Sequence, residues 1–119
     1  MSKYKIQVSN CELDVLKFIW RHEPASSRLI VHEMKACNNW HPSTSKTLIR
    51  RLLDKKVITY DIIKSQRCYT STITKQDFLQ MEFERILSGF DKESITEINN
   101  HLVRLINSND NGGSNDNKI

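Results

Sequence analysis

His41-Pro42-Ser43-Thr44-Ser45-Lys46-Thr47-Leu48-Ile49-Arg50-Arg51-Leu52-Leu53-Asp54-Lys55-Lys56 is the stretch whose reading decides the fold. A proline in the first turn is harmless there, because the opening N–H groups of a helix have no internal partner. At about 100° per residue, Ser45, Leu48, Ile49 and Leu52 share one face, while Ser43, Lys46, Thr47, Arg50 and Arg51 point away from it. The spacing therefore predicts a helix that packs by one side and offers a polar, basic side to its surroundings.

Immediately downstream the rhythm changes to β-branched and aromatic residues. Val57-Ile58-Thr59-Tyr60-Asp61-Ile62-Ile63 and Cys68-Tyr69-Thr70-Ser71-Thr72-Ile73 read as two strands joined by a polar four-residue turn, Lys64-Ser65-Gln66-Arg67. Such a hairpin carries Lys64 and Arg67 at its tip.

Upstream lie two more helices. Ser9-Asn10 and the acidic residues Glu12 and Asp14 open a helix over about residues 10–21, with Leu13, Leu16, Ile19 and Trp20 at helical spacing. Pro24-Ala25-Ser26 interrupts it, and Ser26 can cap a second helix whose buried stripe is Ile30, Met34 and Cys37, ended by Asn38-Asn39.

From Lys75 the helical period returns, with Phe78 or Leu79, then Phe83, Ile86, Leu87 and Phe90 on one stripe, up to Ser88-Gly89. A last helix starts within Asp91 to Glu97, where Ser94-x-x-Glu97 reads as a capping box, and Ile95, Ile98, Leu102 and Leu105 recur at three- and four-residue steps. These stripes have no evident place in a three-helix core, and a second copy of the chain would cover them. Residues 107–119, rich in Asn, Asp, Gly and Ser, contain almost nothing to bury and are expected to be disordered.

The charge is divided along the chain. Residues 1–75 hold 14 Lys/Arg against 6 Asp/Glu, and residues 76–119 hold 4 against 8, within an overall net charge of +4. The basic part suits a polyanion such as nucleic acid. A membrane surface would instead call for one long basic amphipathic helix, and here the positive charge is spread over short elements. The chain has 119 residues, 38% hydrophobic and 27% charged, with only 3 Gly and 2 Pro, which leaves room for one small module with an appended oligomerisation element. No apolar run is long enough to span a bilayer, and no apolar stretch follows the first lysines as in a secretory signal, so a cytoplasmic location is expected. Cys11, Cys37 and Cys68 are far apart and form no C-x-x-C, which favours reduced thiols.

Three short helices followed by a β-hairpin is the order of a winged helix-turn-helix, with the third helix as reader and the hairpin as wing. The expected fold is mainly α with a small β-hairpin: a DNA-binding domain over residues 1–74, a helical dimerisation region over 75–106 and the tail over 107–119. A helix of this kind fills a DNA major groove, and a basic loop reaches the flanking backbone.

The segment from Leu13 to Trp20, then Ser26, Ile30, Glu33 and Met34, and above all Thr44 to Lys56 with its T-x-x-T-L-[LI]-x-R-L pattern, resembles the penicillinase repressor and copper-transport repressor family. The likeness runs without gaps from about residue 8 to 58 and more loosely to Phe90. It implies a homodimeric winged-helix repressor on a two-fold operator. It also implies DNA contacts through Ser43, Thr44, Lys46 and Thr47, with Arg51 on the backbone. The family usually has Lys where Ser43 stands, a β-branched aliphatic residue where Ser45 stands, and Gly-Arg in the wing where this chain has Gln66-Arg67. The segment in which antibiotic-responsive members are cut is not recognisable between Phe90 and Ile95, and the cysteine cluster of copper-responsive members is absent. The resemblance therefore carries over no mode of induction and names no upstream sensor.

Other chemistries fit less well. His32, Cys37 and His41 offer metal-ligand types, but the H-x4-C-x3-H spacing crosses a helix end and lacks a fourth ligand nearby. Cys68 beside Arg67 has the cation that favours a thiolate, although packing and surface roles account for all three cysteines. No Gly-rich phosphate loop, carboxylate pair or nucleophile with an evident base is present, so no enzyme, cofactor or metal is expected. The alternative to DNA binding is a winged-helix module that binds protein, since fold does not determine function. Its reading helix would be apolar or acidic on the outside, and this one is basic.

Overall fold

The computed structural model describes the backbone of residues 6–118 and the side chains of residues 6–109. The chain divides into two units, residues 1–82 and 83–119.

In the first unit, α1 (Asn10–Arg21) begins with a reciprocal cap: Glu12 N–H donates to Ser9 Oγ at 3.2 Å and Ser9 N–H to Glu12 Oε1 at 3.0 Å. Two of the helix's unpaired donors are thereby satisfied. Val15, Leu16, Phe18 and Ile19 are buried, with Leu13 and Trp20 packed at the rim of the core. After it, β1 (Ala25–Ser26) is a strand of two residues that the sequence reading treats as a plain interruption. Ser26 does cap α2 (Ser27–Asn38), accepting from Leu29 N–H at 3.1 Å. Ile30 and Met34 of α2 are buried, whereas Cys37, expected on the same stripe, is exposed and donates through Sγ to Glu33 Oε2 at 2.9 Å. Seven residues fall short of two turns by only about 20°, but the stripe ends where the helix leaves the core.

α3 (Pro42–Asp54) has proline in its first turn and buries Ser45, Leu48, Ile49 and Leu52, the four residues assigned to its inner face. It leads into β2 (Ile58–Ile63) and β3 (Gln66–Ser71), which pair antiparallel. The four-residue turn of the sequence reading is a two-residue turn: Lys64 and Ser65 take φ of 50° and 64°, and Gln66 and Arg67 belong to β3. Two successive left-handed residues match the right-handed twist of the strands, which is why the tighter turn prevails even without glycine. β1 pairs with the other side of β3, giving the sheet order β1-β3-β2.

α4 (Lys75–Leu87) begins at the residue where the helical dimerisation region is expected to start. Phe78 and Met81 are in the core of the first unit, and Phe78 packs on Trp20 with ring centroids 5.6 Å apart. The Trp20 indole N–H donates to Ile73 O at 3.0 Å. The three helices and sheet leave an apolar gap there that the first turns of α4 fill.

In the second unit, α5 (Lys92–Lys118) is capped by Asp91, whose Oδ1 accepts from Ser94 N–H at 2.8 Å, so Ser94 lies inside the helix and is not its cap. α5 also continues through residues 107–118, where a disordered tail is expected. Ile95, Ile98 and Leu102 are half-buried, while Phe83, Ile86, Phe90, Val103, Leu105 and Ile106 are exposed.

Candidate nucleic-acid interface

Burial of Ser45, Leu48, Ile49 and Leu52 fixes the rotation of α3 and so decides which side chains face outward. Ser43, Thr44, Lys46, Thr47, Arg50 and Arg51 are all exposed. The structure thus brings every helix residue assigned to the candidate site onto the surface of one helix.

The head of α3 is held by His41, which the sequence reading places at the opening of the helix without assigning it the cap. His41 is the N-cap, and its Nδ1 accepts from Ser43 N–H at 3.1 Å and stands 2.9 Å from Ser43 Oγ. Its place directly before Pro42 was the available signal. Thr47 Oγ1 donates to Ser43 O at 2.9 Å, which fixes that hydroxyl and leaves its lone pairs facing outward as acceptors. Among the described residues, no three His, Cys, Asp or Glu side chains gather in a way that could hold a metal ion.

The cations divide into engaged and available ones. Lys55, at the foot of α3, pairs with Glu12 of α1 at 2.5 Å and donates to Gln7 O at 2.6 Å. Burial alone pushes the Glu12 carboxyl up, but the Lys55 hydrogen bond, the Ser9 N–H and the charges of Lys55 and Arg51 together hold it below the ordinary carboxylate value. Among the described residues, no carboxylate lies within ion-pair distance of Lys46, Arg50, Arg51, Lys64 or Arg67.

On the hairpin, Lys64 occupies the turn itself and Arg67 lies one step inside β3, opposite Ile62, rather than at the tip. Its guanidinium sits over the Tyr60 ring, with Cζ 4.4 Å from the centroid. Tyr60 is a residue that the sequence reading missed, since only the strand register brings it beside Arg67.

A helix pair, a third helix with an exposed basic face and an antiparallel hairpin make this a winged helix-turn-helix fold. The family model of the penicillinase repressor matches residues 8–111, and the chain belongs to that family. It is 27% identical over 84 residues to the penicillinase repressor of Bacillus licheniformis, covering 71% of this chain and 66% of that protein. It is 30% identical over 99 residues to the penicillinase repressor of Staphylococcus aureus, covering 80% of this chain and 78% of that protein. The chain spans about half the length (47%) of the methicillin resistance regulatory proteins it also matches. Among solved structures, it is similar to the Bacillus licheniformis BlaI monomer in complex with the blaP half-operator, with TM-score 0.56 and 28% identity over 62% of this chain and 90% of that one.

Proposed function

We propose that this protein is a DNA-binding transcriptional repressor that reads a two-fold operator as a homodimer. The observation that carries the reading is the exposed face of α3, where Ser43, Thr44, Lys46, Thr47, Arg50 and Arg51 surround a helix whose other side is buried. Hydroxyl and amine groups there reach base edges, and the guanidinium groups reach phosphates. The same basic surface speaks against a module that binds protein. The half-operator complex of the similar BlaI supports the assignment.

In this reading the first unit binds DNA and the second supplies the dimer interface. Phe83, Ile86, Phe90, Ile95, Ile98, Leu102 and Leu105 form the apolar surface that a second copy covers, with α4 contributing from Phe83 onward. The activity is binding without a catalytic step, and it is exercised in the cytoplasm. No described helix is long and apolar enough to cross a membrane.

The test is selection of duplexes from a random-sequence pool by the full chain. A two-fold site is expected to be enriched, and its affinity is expected to fall by orders of magnitude between about 50 and 200 mM salt. A pool that stays unenriched, or binding indifferent to salt, overturns the proposal.

A further inference from the structure

On β2 and β3, the pairs Tyr60–Tyr69 and Ile62–Arg67 lie on the same face of the hairpin as Ile58–Ser71, because alternate residues share a face. That face begins in the core, where Ile58 and Tyr69 are buried, and runs outward past its edge. Three groups then pack in sequence, with the two tyrosine rings tilted 55° to one another. Tyr69 is anchored in the core, the 40% exposed Tyr60 packs against it with ring centroids 6.0 Å apart, and the Arg67 guanidinium covers Tyr60. The one acidic residue of the two strands, Asp61, pairs with Cys68 and so lies on the opposite face.

An exposed arginine ordinarily samples many rotamers, and a ligand that fixes it must offset the lost entropy. Stacking on a ring occupies the flat face of the guanidinium and leaves its N–H edges pointing outward, in the geometry that a phosphate accepts.

We propose that Tyr60 is a positioning residue for DNA binding: it holds the Arg67 guanidinium ready, so that the hairpin meets a backbone phosphate with a fixed fork rather than a free chain. This rests on the DNA-binding reading above and goes beyond it by assigning a role to a residue that need not touch DNA.

The experiment measures binding of the full chain to a mixed-sequence DNA duplex, since a phosphate contact is independent of sequence. Arg67→Ala is expected to weaken binding and to lower the slope of log affinity against log salt by about one. Tyr60→Leu is expected to weaken binding about two- to fivefold, Tyr60→Phe to keep it, and Tyr60→Leu to add no further loss in the Arg67→Ala background. Arg67→Lys, which keeps the charge but loses the plane, is expected to behave like Tyr60→Leu and keeps the idea testable should Tyr60→Leu not fold. Wild-type affinity in Tyr60→Leu or in Arg67→Lys, or a loss from Tyr60→Leu that persists without Arg67, overturns the role of Tyr60 and leaves the DNA reading standing. A wild-type chain that binds no duplex overturns both.

Discussion

Lys55 Nζ lies 2.5 Å from Glu12 Oε1, so the residue that closes the cap of α1 is also the partner of the residue that ends α3. One carboxylate thereby ties the start of α1 to the foot of α3.

Because the Glu12 pKa is lowered in the folded chain, the linkage has a definite sign. The stabilisation is fully present above the ordinary carboxylate pKa and is lost as pH falls through the folded value. Glu12→Gln is expected to flatten the acid limb of stability in urea titrations run from pH 7 downward. Lys55→Ala is expected to cost about 1–3 kcal/mol at pH 7, since it leaves a buried carboxylate without its cation. An acid limb unchanged by Glu12→Gln would show that other groups set it.

Ser45 is fully buried, and its Oγ has no hydrogen-bond partner among the described residues. An orphaned buried hydroxyl is destabilising, and alanine is the better helix former. Ser45→Ala is therefore expected to raise stability by about 1 kcal/mol, seen as a higher Tm with DNA affinity unchanged.

Lys64 and Ser65 both occupy the left-handed region, which side chains other than Gly, Asn and Asp disfavour. Replacing them by Asn-Gly is expected to stabilise the hairpin by about 1–2 kcal/mol. The same change removes the Lys64 charge, so the salt slope of DNA binding should fall while thermal stability rises. Opposite movement of the two readouts separates the turn's conformational role from its electrostatic one.

On the reading helix, Lys46→Ala and Thr47→Ala are expected to reduce preference for the selected site over mixed sequence by roughly 1–3 kcal/mol each. Arg51→Ala is expected to weaken binding to both DNAs alike. Competition titrations distinguish the two patterns, and intact preference in both helix-face variants would move the reading surface elsewhere.

Leu102→Glu places a carboxylate on the apolar face of α5. If a second copy covers that face, the charge is buried without a partner at a cost of several kcal/mol. Sedimentation is expected to show monomers that keep the helix and hairpin signals of the first unit, with much weaker binding to a two-fold site because linkage of half-sites is lost. A variant that remains dimeric places the interface on other residues.

The elements that could be read ahead were those whose signals are local. Ser9 with the first-turn carboxylates and the apolar period marks α1, Pro42 marks the start of α3, and the wheel of α3 places each residue assigned to its inner or outer face on the side where it lies. What could not be read depends on distant partners. Ala25–Ser26 becomes a strand only because β3 passes beside it. Phe78 looks like part of an unpaired stripe, and Met81 stands outside it, until the core beside Trp20 and Ile73 is known. Lys64-Ser65 lacks the Asn-Gly signature of a two-residue turn, so its sequence reads as a turn two residues longer with Arg67 at the tip. The shared face of Tyr60 and Arg67 follows from the register alone.

The sheet order leaves β2 as an open edge, with β1 closing the far side of β3. Its backbone offers unpaired amide and carbonyl groups between exposed Tyr60, Ile62 and Ile63, a surface that suits strand addition by another molecule. The single charge on that strand is Asp61. Two copies that paired antiparallel along this edge would bring their Asp61 carboxylates close together, and like charges facing each other across a strand pair disfavour such edge-to-edge association.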